Sequence, residues 1–250
     1  MVSTNYQILK RDEIDSTNEE ARRLSEAGEA RATWIIADVQ TAGRGRRGRS
    51  WEAPRGNLMT TLYWPFPIAA QSAALLSFVA SLAVRDVVAD CLPQARVELK
   101  WPNDVLVNGQ KIAGILLEAF RVSAQTVQTL AVGIGVNITH HPDDTPYPAT
   151  HIGAVGPAPA RDEVFEKLKT SFATYHAAFD KSGFAPIRKV WLEHARGRGR
   201  EIEVRLAHET LLGLFDDLDG EGQLCLRLPT GDVRLVAAGD VYFPEVLDGR

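Results

Sequence analysis

Apolar residues follow two rhythms along the chain, short continuous runs and longer stretches with helical spacing. Trp34-Ile35-Ile36-Ala37-Asp38-Val39 is a short run of β-favouring residues and predicts a central strand. Asn57 to Trp64 and Thr126 to Ile138 read the same way, and Tyr6 to Ile14 contains another extended apolar stretch. In Ala73 to Cys91, by contrast, Leu75, Leu76, Val79, Leu82 and Ala83 recur on one helix face. Further helices are predicted over Arg161 to Asp180 and Pro186 to Ala195. Ser16 followed by Glu19 makes a capping-box pattern, which opens a helix running to about Ala27.

Val97 to Lys100 predicts a strand that ends at Trp101-Pro102-Asn103-Asp104, where proline stops regular pairing and Asn-Asp suits a turn. Val105 to Val107, Asn108-Gly109 and Lys111 to Glu118 together predict a hairpin, because Asn-Gly supplies the two positive φ values of a type I′ turn. Helices lying between hairpin-connected strands point to an α+β fold, a mixed sheet flanked by helices, rather than a regular βαβ barrel. Gly197-Arg198-Gly199-Arg200 interrupts this pattern, and from Glu201 onward short strands alternate with tight turns at 219–222 and 230–232. Two domains are expected, residues 1–196 and 197–250, the second a small β barrel that must pack on the first to be stable.

No charge falls between Arg55 and Arg85, which raises the question of a membrane span. Pro65 and Pro67 interrupt that stretch, and Gln71, Ser72, Ser77 and Ser81 are disfavoured in a spanning helix of about 20 apolar residues. A buried helix and no membrane partner are expected. The 250 residues are 45% hydrophobic and 24% charged, which excludes disordered and collagen-like classes. Cys91 and Cys225 are too few and too distant for a disulfide scaffold, and Met-Val-Ser-Thr-Asn lacks the basic-then-apolar order of a signal peptide, so a cytoplasmic setting is expected. The net charge of −4 argues against a protein whose main task is neutralising a nucleic-acid backbone, and no DNA partner is expected.

The charge is nevertheless uneven, since Gly43 to Arg49 reads GRGRRGR, four arginines in seven residues. Alternating glycines let backbone N–H groups turn toward an anion, while guanidinium forks grip carboxylate or phosphate oxygens in pairs. Such a loop is expected to be mobile until an anion neutralises it; a solvated charge run or a nucleic-acid patch is the alternative. In Lys100-Trp101-Pro102-Asn103-Asp104 a carboxylate beside a carboxamide can hold hydrated Mg²⁺ against phosphate oxygens, or can simply turn the chain. Lys111 enters an apolar strand, where Gly114 is a glycine of the kind that lets a ligand approach the backbone.

Together GRGRRGR, KWPND and GQKIAGILLE, in this order and with Asp-Ser-Thr-Asn upstream, resemble the biotin protein ligases, also called biotin–acetyl-CoA-carboxylase synthetases. The resemblance runs from Asp15 to Asn137 and more loosely to Phe243. It implies a biotin/lipoate ligase-like mixed sheet flanked by helices and a small SH3-like β barrel. The implied activity uses ATP, with Mg²⁺, to convert biotin to biotinyl-5′-AMP and pyrophosphate. Biotin is then transferred to one lysine of a biotin carboxyl carrier domain. Carried over by position, Ser16, Thr17, Asn18 and Gln40 meet biotin, as do Arg44, Gly45 and Arg46 of the loop and Gly114, Gly133 and Gly135 of the pocket strands. Lys111 meets biotin's carboxylate and the α-phosphate. Arg46, Arg47, Trp51, Lys100, Asn103 and Asn137 serve ATP, and Asp104 serves as metal ligand. Lys111, Arg46 and Asp104 are the catalytic candidates, Asp104 also as a base for the incoming lysine.

Repressor members of that family carry a helix-turn-helix domain many tens of residues ahead of the Ser-Thr-Asn turn, whereas 15 residues precede Ser16, so the monofunctional class is expected. With only Met1 and Met59, the chain has no Met-Lys-Met carrier sequence, and its acceptor must be another protein. The resemblance leaves room for a homodimer without requiring one. Two alternatives stay open: a lipoate or octanoate ligase-type enzyme of the same architecture, and a nucleic-acid-binding module using Gly43 to Arg49. The six histidines show no metal-ligand spacing.

Overall fold

The computed structural model describes residues 6–243 apart from 53, 124, 144 and 146; the first residues, read above for a leader, lie outside that set. In chain order the elements are β1 (Gln7–Ile14), α1 (Thr17–Glu26), β2 (Thr33–Gln40), β3 (Leu58–Trp64), β4 (Ile68–Ala69), α2 (Ala70–Cys91), β5 (Val97–Lys100), β6 (Asp104–Val107), β7 (Gln110–Ser123) and β8 (Thr126–Val136). There follow α3 (Ile152–Val155), α4 (Arg161–Ser182), α5 (Phe184–Glu193), β9 (Glu201–Arg205), β10 (Thr210–Leu218), β11 (Leu224–Arg227), β12 (Val233–Val236) and β13 (Asp240–Tyr242).

The larger sheet has the order β1-β2-β3-β8-β7-β6-β5, with β4 also paired to β8. Only β1 and β2 run parallel; the other pairs are antiparallel, so the sheet is mixed as the hairpin pattern required. Asn108 and Gly109 at the β6–β7 tip have φ of 50° and 83°, the type I′ signature read from Asn-Gly. Strand alternation then sorts side chains to two faces. Leu130, Val132, Ile134 and Val136 of β8 enter the main core with α2, α4 and α5, whereas Ala131 packs beneath α1 with Ile35 and Tyr63. Gly133 and Gly135 share the Ala131 face, and their missing side chains leave a trough beside α1.

The uncharged stretch forms α2, whose length and composition would suit a membrane, but 72% of its most apolar window is buried inside the fold. The capping box is not realised. Ser16 stands at the N-cap position but makes no side-chain cap, and Glu19 pairs instead with Arg22 and Arg44. Ser16 is buried and lines the cavity described below, which explains why its hydroxyl is not spent on the helix.

The five C-terminal strands form an antiparallel sheet of order β12-β11-β10-β9-β13. Its Phe215, Leu218, Leu224, Leu226 and Phe243 belong to the same apolar cluster as α2, α4 and α5. Trp101 Nε1 donates to Gly222 O at 3.0 Å, tying KWPND to the barrel turn. Gly222 has φ 76°, and a Cβ there would lie 2.6 Å from the Phe78 ring. The barrel thus obtains the support its size demands by docking on α2.

Candidate active site

The trough widens into a cavity of about 390 Å³ at the junction of sheet, arginine loop and barrel. Ser16, Thr17, Asn18, Gln40, Arg44, Gly45, Arg46, Trp51, Lys100, Asn103, Asp104, Lys111, Gly114, Gly133, Gly135 and Asn137 all line it. Arg47 does not: it takes a left-handed conformation (φ 56°) and pairs with Asp240 of the barrel at 3.0 Å.

The α1 end is polar and already ordered. Asn18 Nδ2 donates to Glu118 Oε2 at 2.7 Å and to Leu116 O at 3.3 Å, which directs Oδ1 toward the Thr61 hydroxyl, 2.6 Å away. Gln40 Oε1 accepts the Thr17 N–H at 2.7 Å and lies 2.9 Å from the Thr17 hydroxyl. Thr61 touches Thr17 at 2.8 Å, so strand and helix share one hydrogen-bonded chain. Fixed hydroxyls and amides of this kind suit a small polar ring, because a buried polar group left unpaired costs about 1–3 kcal/mol.

At the other end, Lys111 and Lys100 converge on Asp104. The Asp104 carboxylate is buried, with Oδ1 2.6 Å from Lys111 Nζ and Oδ2 3.3 Å from Lys100 Nζ. Burial alone would push its carboxyl up; the charges of Lys111 and then Lys100 outweigh that and hold it at about 2. Burial pushes Lys100 down from the ordinary lysine value, with Asp104 opposing. The Tyr147 ring caps Lys100 at 4.0 Å, and the Tyr242 ring of β13 stands 5.9 Å away. Since the depressed Asp104 group favours the folded state only while ionised, its contribution of about 2 kcal/mol is complete above pH 4 and lost as pH falls toward 2. Urea unfolding at stepped pH is expected to show this acid limb, flattened in Asp104→Asn.

Both Asp104 oxygens thus face ammonium groups, and among the described residues no three His, Cys, Asp or Glu side chains converge as metal ligands. With both lysines in these positions, direct ligation would set a dication within a few ångströms of two positive charges. This donor set does not fit a protein-held Mg²⁺, contrary to the metal role expected for Asp104.

The arginine loop is compact. Gly45 N donates to Arg49 O at 2.7 Å and Trp51 N to Gly43 O at 2.9 Å, so these backbone donors are used within the loop rather than offered to an anion. Its charge meets the protein's own carboxylates: Arg44 lies 3.2 Å from both Glu19 and Glu118, and Arg47 and Arg49 meet Asp240. Arg46 is mostly buried, donating to Asn103 Oδ1 at 3.1 Å, and burial pushes its guanidinium down from the ordinary value. Trp51 lies on the trough floor, where a Cβ on Gly135 would stand 2.5 Å from ring atom Cε2; its buried Nε1 has no hydrogen-bond partner.

Glu118, Thr61, Tyr147, Tyr242 and Asp240 were not singled out in the sequence. Glu118 had a signal, since it shares a strand face with Gly114 and Leu116; the tyrosines and Asp240 come from distant segments and had none.

Residues 11–137 match the Biotin/lipoate A/B protein ligase family, and residues 198–243 match the Biotin protein ligase C terminal domain. A biotin–[acetyl-CoA-carboxylase] ligase of Paracoccus denitrificans is 44% identical over 237 residues, covering 92% of this chain and 97% of its own. A bifunctional ligase/repressor of Bacillus subtilis is 30% identical over 238 residues, covering 92% of this chain and 72% of its own. Among solved structures, a biotin protein ligase from Aquifex aeolicus in complex with biotin and ATP superposes with a TM-score of 0.80 at 26% identity, covering 94% of this chain and 97% of that one.

Proposed function

The chain belongs to the biotin/lipoate A/B protein ligase family, and from that premise we propose how its pocket performs the work of an ATP-dependent biotin–[acetyl-CoA-carboxylase] ligase. In the first step a biotin carboxylate oxygen attacks the α-phosphorus of ATP, and the bond to pyrophosphate breaks. In the second a carrier lysine attacks the acyl carbon of biotinyl-5′-AMP, and AMP leaves. The observation that carries the assignment is the layout of one trough, with an ordered amide and hydroxyl end at Thr17, Asn18 and Gln40 and a cationic end at Lys111, Lys100 and Arg46.

Biotin's ureido ring pairs with Ser16, Thr17, Asn18 and Gln40, and its chain runs over Gly133 and Gly135 toward Lys111. Lys111 turns from Asp104 to the carboxylate and α-phosphate, where its charge stabilises the crowded transition state. Asp104 then loses a counter-charge. Burial raises its affinity for a proton, and in the second step it takes one from the carrier amine, whose ordinary pKa is about 10.4. Trp51 lifts from the trough and stacks on adenine. Lys100, Asn103 and Asn137 hold the nucleotide, and the loop shields the mixed anhydride from water.

The acceptor is a biotin-carrying carboxylase, and within it the biotin carboxyl carrier domain. Two unpaired cysteines among the described residues accord with a cytosolic setting and 196/197 as the domain boundary with the change of strand pattern. Biotin-dependent ATP–pyrophosphate exchange, then mass measurement of an added carrier domain, tests the assignment; calorimetry with lipoate against biotin separates it from a lipoate ligase. For Arg46→Gly we expect adenylate to escape and label bystander lysines. Carrier specificity equal to that of the unaltered chain would refute the shielding role.

A further inference from the structure

One anchor of the arginine loop lies outside the first domain. Asp240, at the start of β13, accepts from Arg47 Nη1 on one carboxylate oxygen at 3.0 Å and from Arg49 Nη2 on the other at 2.9 Å. The neighbouring carbonyl of Gly239 lies 3.4 Å from Arg46 Nη1. The Asp240 side chain is only 19% exposed, and its backbone is held in register with Arg205 of β9, so a rigid strand grips a loop some 190 positions away in sequence. On the loop side, Arg47 and Gly48 take successive positive φ values of 56° and 73°, and this left-handed turn accompanies both guanidiniums onto one carboxylate. Such a conformation is unfavourable for arginine unless its surroundings fix it. At its other end the loop is gripped by Glu19 and Glu118 through Arg44, so Asp240 is the clamp on the barrel side.

We propose that Asp240 is a positioning residue that latches the arginine loop over the pocket through Arg47 and Arg49 while activated biotin is inside. This rests on reading the pocket as the adenylate site. When pyrophosphate departs, cations near it lose an anion, and a fixed carboxylate on the barrel keeps the loop neutralised without its having to open. The barrel then acts on the second step by delaying hydrolysis of the anhydride.

Trypsin cuts after arginine, so nicking of the full chain within the loop reports its opening without any substrate. Partly exposed ion pairs are individually weak, and loss of both is expected to speed nicking by about five-fold in Asp240→Asn, with Asp240→Glu restoring the slow rate. Thermal midpoints and cuts elsewhere in the chain control for general loosening. With biotin and ATP, Asp240→Asn is also expected to label bystander lysines above the unaltered chain, and Asp240→Glu not to. Equal loop nicking in all three proteins would overturn the latch. Absence of biotin-dependent pyrophosphate exchange in the unaltered chain would instead overturn the adenylate reading beneath it, whatever the nicking rates.

Discussion

Lys111→Ala is expected to lower biotin-dependent ATP–pyrophosphate exchange by about 10²- to 10³-fold at saturating biotin, the loss seen when a preorganised charge partner of a transition state is removed. Its Nζ is 2.6 Å from a carboxylate it can leave, and the pocket floor beneath it is glycine. The fold should persist, because Asp104 keeps Lys100 at 3.3 Å. Some stability is still lost, on the order of 1–3 kcal/mol, as a buried carboxylate gives up one of two partners. The double variant Lys111→Ala with Asp104→Asn separates the effects: it relieves the unmatched charge and leaves exchange as low as in Lys111→Ala. Undiminished pyrophosphate exchange in Lys111→Ala would end the assignment.

Gly133→Ala is the second large effect. A Cβ at this position overlaps Asn18 Oδ1 and stands 3.0 Å from Asn18 Cγ and Nδ2. Asn18 cannot swing aside cheaply, because Glu118, Leu116 O and Thr61 all bind its amide. Gly133 is absent from the positive-φ positions, so alanine brings no backbone strain and the consequence falls on the amide cluster. Displacing one buried hydrogen-bonded group costs about 1–3 kcal/mol, and biotin affinity by calorimetry is expected to fall about 10- to 100-fold. Gly114→Ala is the contrast within the same trough. Its Cβ would meet the ends of Trp51 and Lys111 at 3.3–3.4 Å, groups that can give way, so a much smaller loss is expected. Equal losses at the two glycines would argue against a rigid ureido site at Asn18.

The neutralisation of the loop by Glu19, Glu118 and Asp240 changes the picture of a segment waiting for any anion. On the proposed reading a ligand competes with Glu19 and Glu118 for Arg44 and displaces the Trp51 ring, while Arg47 and Arg49 stay on Asp240, so closure exchanges part of one set of ion pairs for another. Exchange of this kind gives selectivity for a ligand that offers both a carboxylate or phosphate and a flat ring.

The local pieces of the fold are legible along the chain. Asn108-Gly109 dictated the hairpin through its positive φ values, short runs of β-favouring residues in Trp34 to Val39 and Thr126 to Ile138 dictated strands, and helical spacing dictated α2. The residues of the cavity were legible for the same reason: Ser16 to Asn18, Arg44 to Arg46, Lys100 to Asp104 and Lys111 to Gly114 lie in short segments whose chemistry is local. How groups far apart along the chain share charge follows from packing in three dimensions. Ser16 lines the cavity without capping its helix, Asp104 meets two lysines at once, and Arg47 turns from the pocket to Asp240. Tyr147, Tyr242 and Asp240 entered the site from a loop and a barrel strand. Hydrophobic periodicity and turn chemistry act over a few residues, whereas burial and Coulomb energy depend on distances in space, which a linear pattern does not contain.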